Sequence, residues 1–261
     1  MALAQLTFPC RLGADPLGIP SGPDFARFLR AAYDNTGSTA WNVPCPKAGR
    51  TLDALSSLEQ GAIYDAILDP RVLDVRPQYP MADFQRLEAY VKDPSLRIPR
   101  TKVPTMDLLL TVLDSTKEQG FWYEAISVKP LEELSDPAVQ RRFQRDQKFC
   151  DDQGWPWYLY TEREFSEQRI KSSRYLVRRV VEKDLQGMRT AAQAAATVIS
   201  RFSDGRNLRC VAAAMSRSLA TTRTRALDLI AAAALFGFIS IDLERAYDLS
   251  SPLVLLPRPA P

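Results

Sequence analysis

Residues 105–129, TMDLLLTVLDSTKEQGFWYEAISVK, decide the fold of this chain. The first part, residues 105–113, is a strongly apolar run with the length of a central β-strand. The later part, residues 120–128, is rich in aromatic and β-branched side chains, which also favour a strand. Two such strands close together in the chain predict a sheet at the centre of the fold.

Polar residues sit at the ends of these two strands. Asp107 begins the apolar run, and a buried acid there is costly unless it is paired or binds a metal ion, although a helix-cap or turn role is the alternative. The side-chain period of two puts Ser127 and Lys129 on one face of the second strand. Pro130 cannot donate to a sheet, so we expect the strand to end there and leave Lys129 at an accessible rim.

The elements on either side complete an α/β pattern. The first fifty residues are rich in proline and glycine around one predicted helix, residues 24–34, and are interpreted as an arm or cap. A helix is predicted for residues 51–68, with Glu59 beside its apolar face, although a lone glutamate there is usually a solvated surface residue. The same reasoning predicts a short strand at residues 72–76, a charged helix at 137–153 and an aromatic strand at 155–161.

The C-terminal part predicts a separate helical domain. Helices are expected at residues 163–186, 190–202, 207–220 and 223–236, and two short strands at 238–242 and 252–256. Thr221 and Thr222 suit the start of the last helix, and Gly237 suits its end. Helices followed by a short hairpin are typical of a winged helix, with Thr222, Arg223 and Arg225 where DNA-binding residues of such domains lie. Such domains also dock proteins, and both interpretations stay open.

Composition excludes several kinds of active site. The chain has 261 residues and no histidine, so a Ser-His-Asp triad, a histidine-based zinc site and a two-histidine iron site are excluded. The four cysteines, at positions 10, 45, 150 and 210, form no CxxC pair, which favours reduced and mostly buried thiols over a zinc site. No signal peptide is apparent, and the apolar residues 226–241 are too short to span a bilayer, so an intracellular protein without a membrane partner is expected.

The basic residues concentrate near the C-terminus. The net charge is only +3, but residues 188–261 contain nine arginines, no lysine and five acids, which gives +4 and leaves about −1 for the rest. Arginine is favoured for bidentate phosphate contacts, whereas a solvated helical surface is the alternative explanation. Charge alone therefore does not identify a nucleic-acid-binding protein.

Five short motifs recur at characteristic intervals over roughly residues 52–162. The motifs are Ser57-Leu58-Glu59, Val75-Arg76-Pro77-Gln78-Tyr79-Pro80, Thr105-Met106-Asp107, Ser127-Val128-Lys129 and Trp157-Tyr158-Leu159-Tyr160-Thr161-Glu162. In their order and intervals they resemble the motifs of the TnsA endonuclease family of heteromeric cut-and-paste transposases. The resemblance implies a restriction-endonuclease-like PD-(D/E)xK core at residues 51–165, after an arm at 1–50 and before a winged-helix-like domain at 166–261.

The resemblance also implies roles for individual residues. Glu59 corresponds to the helix carboxylate, Asp107 to the principal metal ligand and Lys129 to the catalytic lysine. Ser127 departs from the family, which has an acid or glutamine there, so Ser127 is expected to act through water while the Val128 carbonyl completes the metal shell. Such oxygen ligands suit Mg²⁺ or Mn²⁺. Gln78 is expected beside the core, in a structural or DNA-contacting role.

For the whole protein, the resemblance implies a metal-dependent endonuclease that cuts the 5′ ends of a transposon. A TnsB-like transposase would process the 3′ ends, and a TnsC-like ATPase would regulate the complex in the bacterial cytoplasm. Two alternatives remain open. One is a restriction or repair nuclease that acts alone, and the other is a non-catalytic winged-helix adaptor whose acids are only structural.

Overall fold

The computed structural model describes residues 7–26, 39–82, 103–202 and 205–257, and these divide into two compact units. The first unit comprises Met1–Ile63 and Arg71–Glu164, and the second comprises Tyr64–Pro70 and Phe165–Pro261. The predicted boundaries at residues 50 and 165 stay predictions. Most of the helix predicted at residues 24–34 lies outside the described residues, which show only a short 3-10 helix at Gly22–Asp24.

A four-stranded mixed sheet forms the centre of the first unit. Its strands are β3 (Val72–Pro80), β4 (Thr105–Leu113), β5 (Phe121–Val128) and β6 (Trp157–Tyr160), in that order across the sheet. β3, β4 and β5 pair antiparallel, whereas β5 and β6 pair parallel. A parallel pair needs a crossover, and helix α2 (Pro137–Gln153) lies in that connection. This mixed α/β arrangement fits a restriction-endonuclease-like core, as the sequence predicts.

The region predicted as one helix, residues 51–68, contains a strand and a shorter helix. β1 (Trp41–Cys45) pairs antiparallel with β2 (Arg50–Ala54), and helix α1 (Ser57–Leu68) begins only afterwards. The prediction was wrong for residues 51–54 because hairpin pairing with β1 determines their conformation, although the spacing of their apolar residues also fits a helix. Leu52 is buried as a residue of strand β2 and not as part of the apolar face of a helix.

The strand predicted to end before Pro77 continues to Pro80, and all nine of its residues are buried. Pro77 has no backbone N–H to donate. A strand tolerates such a residue at the edge of a sheet, where it hydrogen-bonds to a neighbouring strand on one side only. β3 lies at the edge of the four-stranded sheet, which explains why it can include both Pro77 and Pro80.

The N-terminal segment packs on the first unit through a buried polar contact. Asp15 accepts hydrogen bonds from Arg76 Nη1 and the Tyr79 hydroxyl, both at 2.6 Å. Arg76 is fully buried, so this ion pair compensates a charge that would otherwise be costly inside the fold. Next to it, Trp155 packs in an aromatic cluster with Tyr79 and Tyr123 in the buried core.

The second unit is helical and ends in a two-stranded sheet. Its elements are α3 (Glu167–Val180), α4 (Leu185–Phe202), α5 (Leu208–Ser218), α6 (Arg223–Leu235), β7 (Ser240–Ile241) and β8 (Leu255–Leu256). The prediction of one long helix at residues 163–186 was wrong at both ends, since α3 begins at Glu167 and ends at Val180. Ser166 caps α3 by accepting from Arg169 N at 3.0 Å, and Glu182 has a φ of +61°, which breaks the helical path. The next helix, α4, begins at Leu185 and not at the predicted residue 190.

The last predicted helix is confirmed, and it lies at the centre of the second unit. α6 is buried from Ala226 to Ala233, and Thr222, Arg223 and Thr224 at its start are exposed. The two short strands predicted at residues 238–242 and 252–256 correspond to the antiparallel pair β7–β8, with two residues in each strand. The winged-helix assignment stays a prediction. Among the described residues, no helix has both the length and the apolarity that a membrane crossing requires.

Candidate active site

Glu59 is fixed at the first turn of α1. Ser56 caps the helix, since its hydroxyl accepts from Glu59 N at 3.1 Å. The Glu59 carboxylate turns back and accepts from Leu55 N at 2.9 Å through Oε2. The same oxygen accepts from Gln78 Nε2 at 3.1 Å, so a buried carboxylate is positioned by two donors from different elements.

Asp107 is held between β5 and α2. Its Oδ2 accepts from the backbone N of Val128 at 2.7 Å, and its Oδ1 accepts from Arg142 Nη2 at 2.6 Å. The side chain is 6 % exposed, and an acid so buried needs partners of this kind. The contact with Val128 brings two of the predicted site segments, in β4 and β5, into direct contact.

Gln78 links Glu59 to the start of β4. Besides donating to Glu59, its side-chain oxygen accepts from the Thr105 hydroxyl at 3.2 Å. Its backbone has a φ of +50°, which is uncommon for a residue other than glycine. Strained backbone of this kind is most common at functional sites. Here the Gln78 side chain donates to Glu59, a candidate metal ligand.

These side chains line one cleft of about 300 Å³ in the first unit. Glu59, Gln78 and Asp107 all contribute to its wall, so the structure brings together three of the predicted site residues. In the described part of the chain, the lining also includes Leu55, Val103, Pro104, Thr105, Arg142 and Arg145.

The other predicted site residues of this unit lie outside that lining. Ser127 is fully buried; its hydroxyl donates to Asp146 Oδ2 at 3.3 Å and accepts from Trp157 Nε1 at 3.0 Å. Val128 contributes its backbone N to Asp107. Lys129 Nζ lies 3.1 Å from Glu133 Oε2, with the lysine side chain 23 % exposed. The roles predicted for Ser127, Val128 and Lys129 stay predictions.

Three charged residues of α2 belong to this site and were missed from the sequence. Arg142 contacts Asp107, and Arg145 donates to Asp146 Oδ1 through Nε at 3.1 Å and Nη2 at 2.7 Å. Asp146 is fully buried and also lies 3.5 Å from Arg142 Nε. Their spacing of i, i+3 and i+4 puts all three on one helix face, and the sequence alone predicts this. The sequence does not predict which face of the helix packs against the sheet.

The electrostatics of the cleft make Glu59 harder to ionise than a glutamate in water. Burial raises the pKa of Glu59 to about 7, and the nearby Asp107 charge adds to this, against the hydrogen bonds from Leu55 and Gln78. Burial likewise raises the pKa of Asp146. The Asp107 charge raises the pKa of Arg142, so the guanidinium stays charged. Two carboxylates in one cleft therefore repel each other, and a bound cation would relieve this repulsion.

The donor set fits a hard divalent cation with few protein ligands. Within the described residues, no group of three or more His, Cys, Asp or Glu side chains is arranged to hold a metal ion. Mg²⁺ needs only one or two carboxylates together with waters and substrate phosphate oxygens, and Glu59 and Asp107 supply two.

The candidate residues of the second unit lie at the first turn of α6. The Thr222 hydroxyl accepts from Arg225 N at 3.1 Å, so Thr222 is the helix cap. Arg223 is exposed and Arg225 is half-buried. DNA binding by these three residues stays a prediction, and the burial of later turns restricts accessible positions to this end of the helix.

Comparison with known proteins agrees with the motifs. Residues 69–162 match the family model described as the TnsA-like endonuclease N-terminal domain. Over 149 residues the chain is 25% identical to the transposon Tn7 transposition protein TnsA of Escherichia coli. The matched region covers 56% of this chain and 53% of that protein. The chain thus spans about half the length of this curated relative. The resemblance predicted from the sequence is confirmed.

Proposed function

We propose that this chain is a TnsA-like, metal-dependent DNA endonuclease that cuts the 5′ ends of a transposon, which its similarity to that family supports. The observation that carries the proposal is the pair of buried carboxylates, Glu59 and Asp107, in the wall of one cleft. Asp107 belongs to the segment that matches the endonuclease family, and Glu59 reaches the same cleft from α1.

Glu59 and Asp107 would hold Mg²⁺ or Mn²⁺, with the Val128 carbonyl and a water on Ser127 as further ligands. The metal ion, when bound, supplies a Lewis acid for the phosphoryl oxygen and lowers the pKa of a bound water. Gln78 keeps Glu59 in place, and Val128 N keeps Asp107 in place, so both ligands are oriented before substrate arrives.

Lys129 is the proposed base and charge-neutralising group. It lies at the end of β5, one residue beyond Val128, and pairs with Glu133. This ion pair is partly exposed, with Glu133 45 % exposed, and exposed pairs are weak, so little energy opposes a reorientation of Lys129 toward a bound phosphate. There the ammonium would neutralise charge that develops in the transition state.

The wider assembly follows from the same proposal. A TnsB-like transposase would cut the 3′ ends, and a TnsC-like ATPase would regulate both, on DNA in the bacterial cytoplasm. The exposed start of α6, with Thr222 and Arg223, is a candidate contact for DNA or for a partner protein. Gln78 would act on DNA only indirectly, through Glu59.

The test is to sequence transposition junctions in cells that contain the neighbouring transposon genes, with the wild type or with Asp107→Asn. We expect the variant to change the products from simple insertions to cointegrates, because 5′-end cutting is lost while 3′-end cutting continues. Asp152→Asn is the matched control, since Asp152 is an exposed acid of α2 that pairs only with Lys148 in the described contacts.

Unchanged products with folded Asp107→Asn protein would exclude a catalytic role for Asp107 and favour the adaptor alternative. Sequence- or structure-specific cutting by the purified chain alone would favour the stand-alone nuclease. A thermal unfolding curve of each variant separates loss of cutting from loss of fold.

A further inference from the structure

Arg142 occupies Oδ1 of Asp107, one of the two proposed metal ligands. We propose that Arg142 is a DNA-phosphate-binding residue that in the absence of DNA holds Asp107, so that Arg142 and a divalent cation compete for this carboxylate. This inference rests on the proposed function and adds a coupling between metal binding and DNA binding.

The two oxygens of Asp107 have different partners. Oδ2 faces the sheet and accepts from Val128 N at 2.7 Å. Oδ1 accepts from Arg142 Nη2 at 2.6 Å, a charge-assisted contact inside the cleft that both residues line. A cation that binds Oδ1 must displace this guanidinium group or share the oxygen with it at the cost of repulsion between like charges.

Asp146 keeps Arg142 in the cleft after such a displacement. Its Oδ2 lies 3.5 Å from Arg142 Nε, and the Asp146 side chain is fully buried. Arg145 and Ser127 contact Asp146 as well, so three residues hold this carboxylate in position. The Nη groups of Arg142 would then remain at the cleft, oriented through Nε.

An arginine held in this way is suited to a phosphate group. The guanidinium is planar and presents several N–H donors, which match two phosphate oxygens at once. The Arg142 side chain is 30 % exposed, so substrate can reach it from the cleft. A DNA phosphate that draws Arg142 from Asp107 frees the ligand for a metal ion, and by linkage a metal ion frees Arg142 for the phosphate.

The test uses the full chain with Arg142→Met, which keeps most of the aliphatic stem. Mn²⁺ affinity is measured by titration calorimetry without DNA. We expect the Mn²⁺ dissociation constant of Arg142→Met to fall about tenfold, because the competing cation is gone. Affinity for a short duplex in EDTA, measured by fluorescence anisotropy, should fall about tenfold through loss of the phosphate contact.

Arg141→Met is the matched control. Arg141 precedes Arg142 on α2, is exposed and does not line the cleft, so its replacement removes the same charge from the surface. We expect its Mn²⁺ affinity to equal that of the wild type. Arg142→Lys, which keeps the charge without the fork, should bind Mn²⁺ with intermediate affinity, and it provides the comparison if Arg142→Met does not fold.

Three outcomes separate the hypotheses. Tighter Mn²⁺ binding with weaker duplex binding, restricted to position 142, supports the inference. Mn²⁺ binding that depends on Asp107 but is equal in wild type and both Arg142 variants overturns the inference and leaves the proposed function intact. Absence of Mn²⁺ binding in all variants overturns the metal site and the inference together.

Discussion

Gln78 combines an unusual backbone with a specific side-chain contact. Its φ of +50° lies in the left-handed region, within a strand whose register passes from Pro77 opposite Leu108 to Tyr79 opposite Met106. The conformation directs the Gln78 amide at Glu59. The strain is therefore coupled to the positioning of a candidate ligand and not to a turn.

Comparison of Gln78→Gly with Gln78→Ala isolates the backbone strain. Both lose the contact with Glu59, but only glycine adopts positive φ without a penalty from Cβ, so the glycine variant should be more stable by about 1 kcal/mol. Urea unfolding of the two purified variants measures the difference. An alanine variant as stable as the glycine variant would show that the backbone at residue 78 is not strained.

Glu59 predicts a pH dependence of stability. Its pKa is raised from 4.5 to about 7 in the folded chain, so the folded state holds this proton more tightly than the unfolded state. The stabilisation is complete below the unfolded pKa and is lost as pH rises through about 7. In metal-free buffer, wild type should lose more stability than Glu59→Gln between about pH 5 and about pH 8.

Denaturant unfolding at several pH values measures this difference. A tenfold difference in proton affinity between the folded and unfolded states corresponds to about 1.4 kcal/mol, so the extra loss in the wild type is on the order of a few kcal/mol. Parallel pH profiles for wild type and Glu59→Gln would contradict the prediction. The glutamine variant is a suitable reference because it has nearly the same shape and does not titrate.

At the scale of elements, helix caps locate the ends that the sequence predicted well. Asp136 accepts from Ala138 N at the start of α2, and Asn207 caps α5. Gly154, with a φ of +68°, ends α2. These signals are local, which explains why the bounds of α2 were predicted to the residue, whereas β2 and the ends of α3 were not.

Thr222 allows a cap to be separated from a ligand contact. Thr222→Ala should lower the free energy of unfolding by about 1 kcal/mol because Arg225 N loses its acceptor, whereas Thr222→Ser retains the hydroxyl and should stay near the wild type. Thermal unfolding measures the cap, and duplex affinity measures the DNA contact. If serine restores stability but not DNA affinity, the threonine methyl group contacts DNA; if both variants leave DNA affinity unchanged, Thr222 acts only as a cap.

At the scale of the whole molecule, the units are not continuous in sequence. Tyr64–Pro70, the end of α1 and the residues after it, group with Phe165–Pro261, whereas Glu59 at the start of the same helix belongs to the first unit. Within the second unit, Asp65 pairs with Arg169 Nε at 2.7 Å. Sequence patterns place domain boundaries between elements, so they do not predict a boundary inside a helix.

The sequence by itself determined the α/β core, the strands β4 and β5, most helices, and the family resemblance through Asp107, Lys129 and Glu59. These depend on local periodicity, caps and motif spacing, which are properties of neighbouring residues. Only the tertiary structure decided that residues 50–54 are a strand, that β3 continues past Pro77 on an edge, and that Arg142 holds Asp107. The course of β3 and the contact between Arg142 and Asp107 depend on residues far apart in the chain, about which local propensity carries no information. The strand at residues 50–54 depends on hairpin pairing with β1, which the helical spacing of its apolar residues did not reveal.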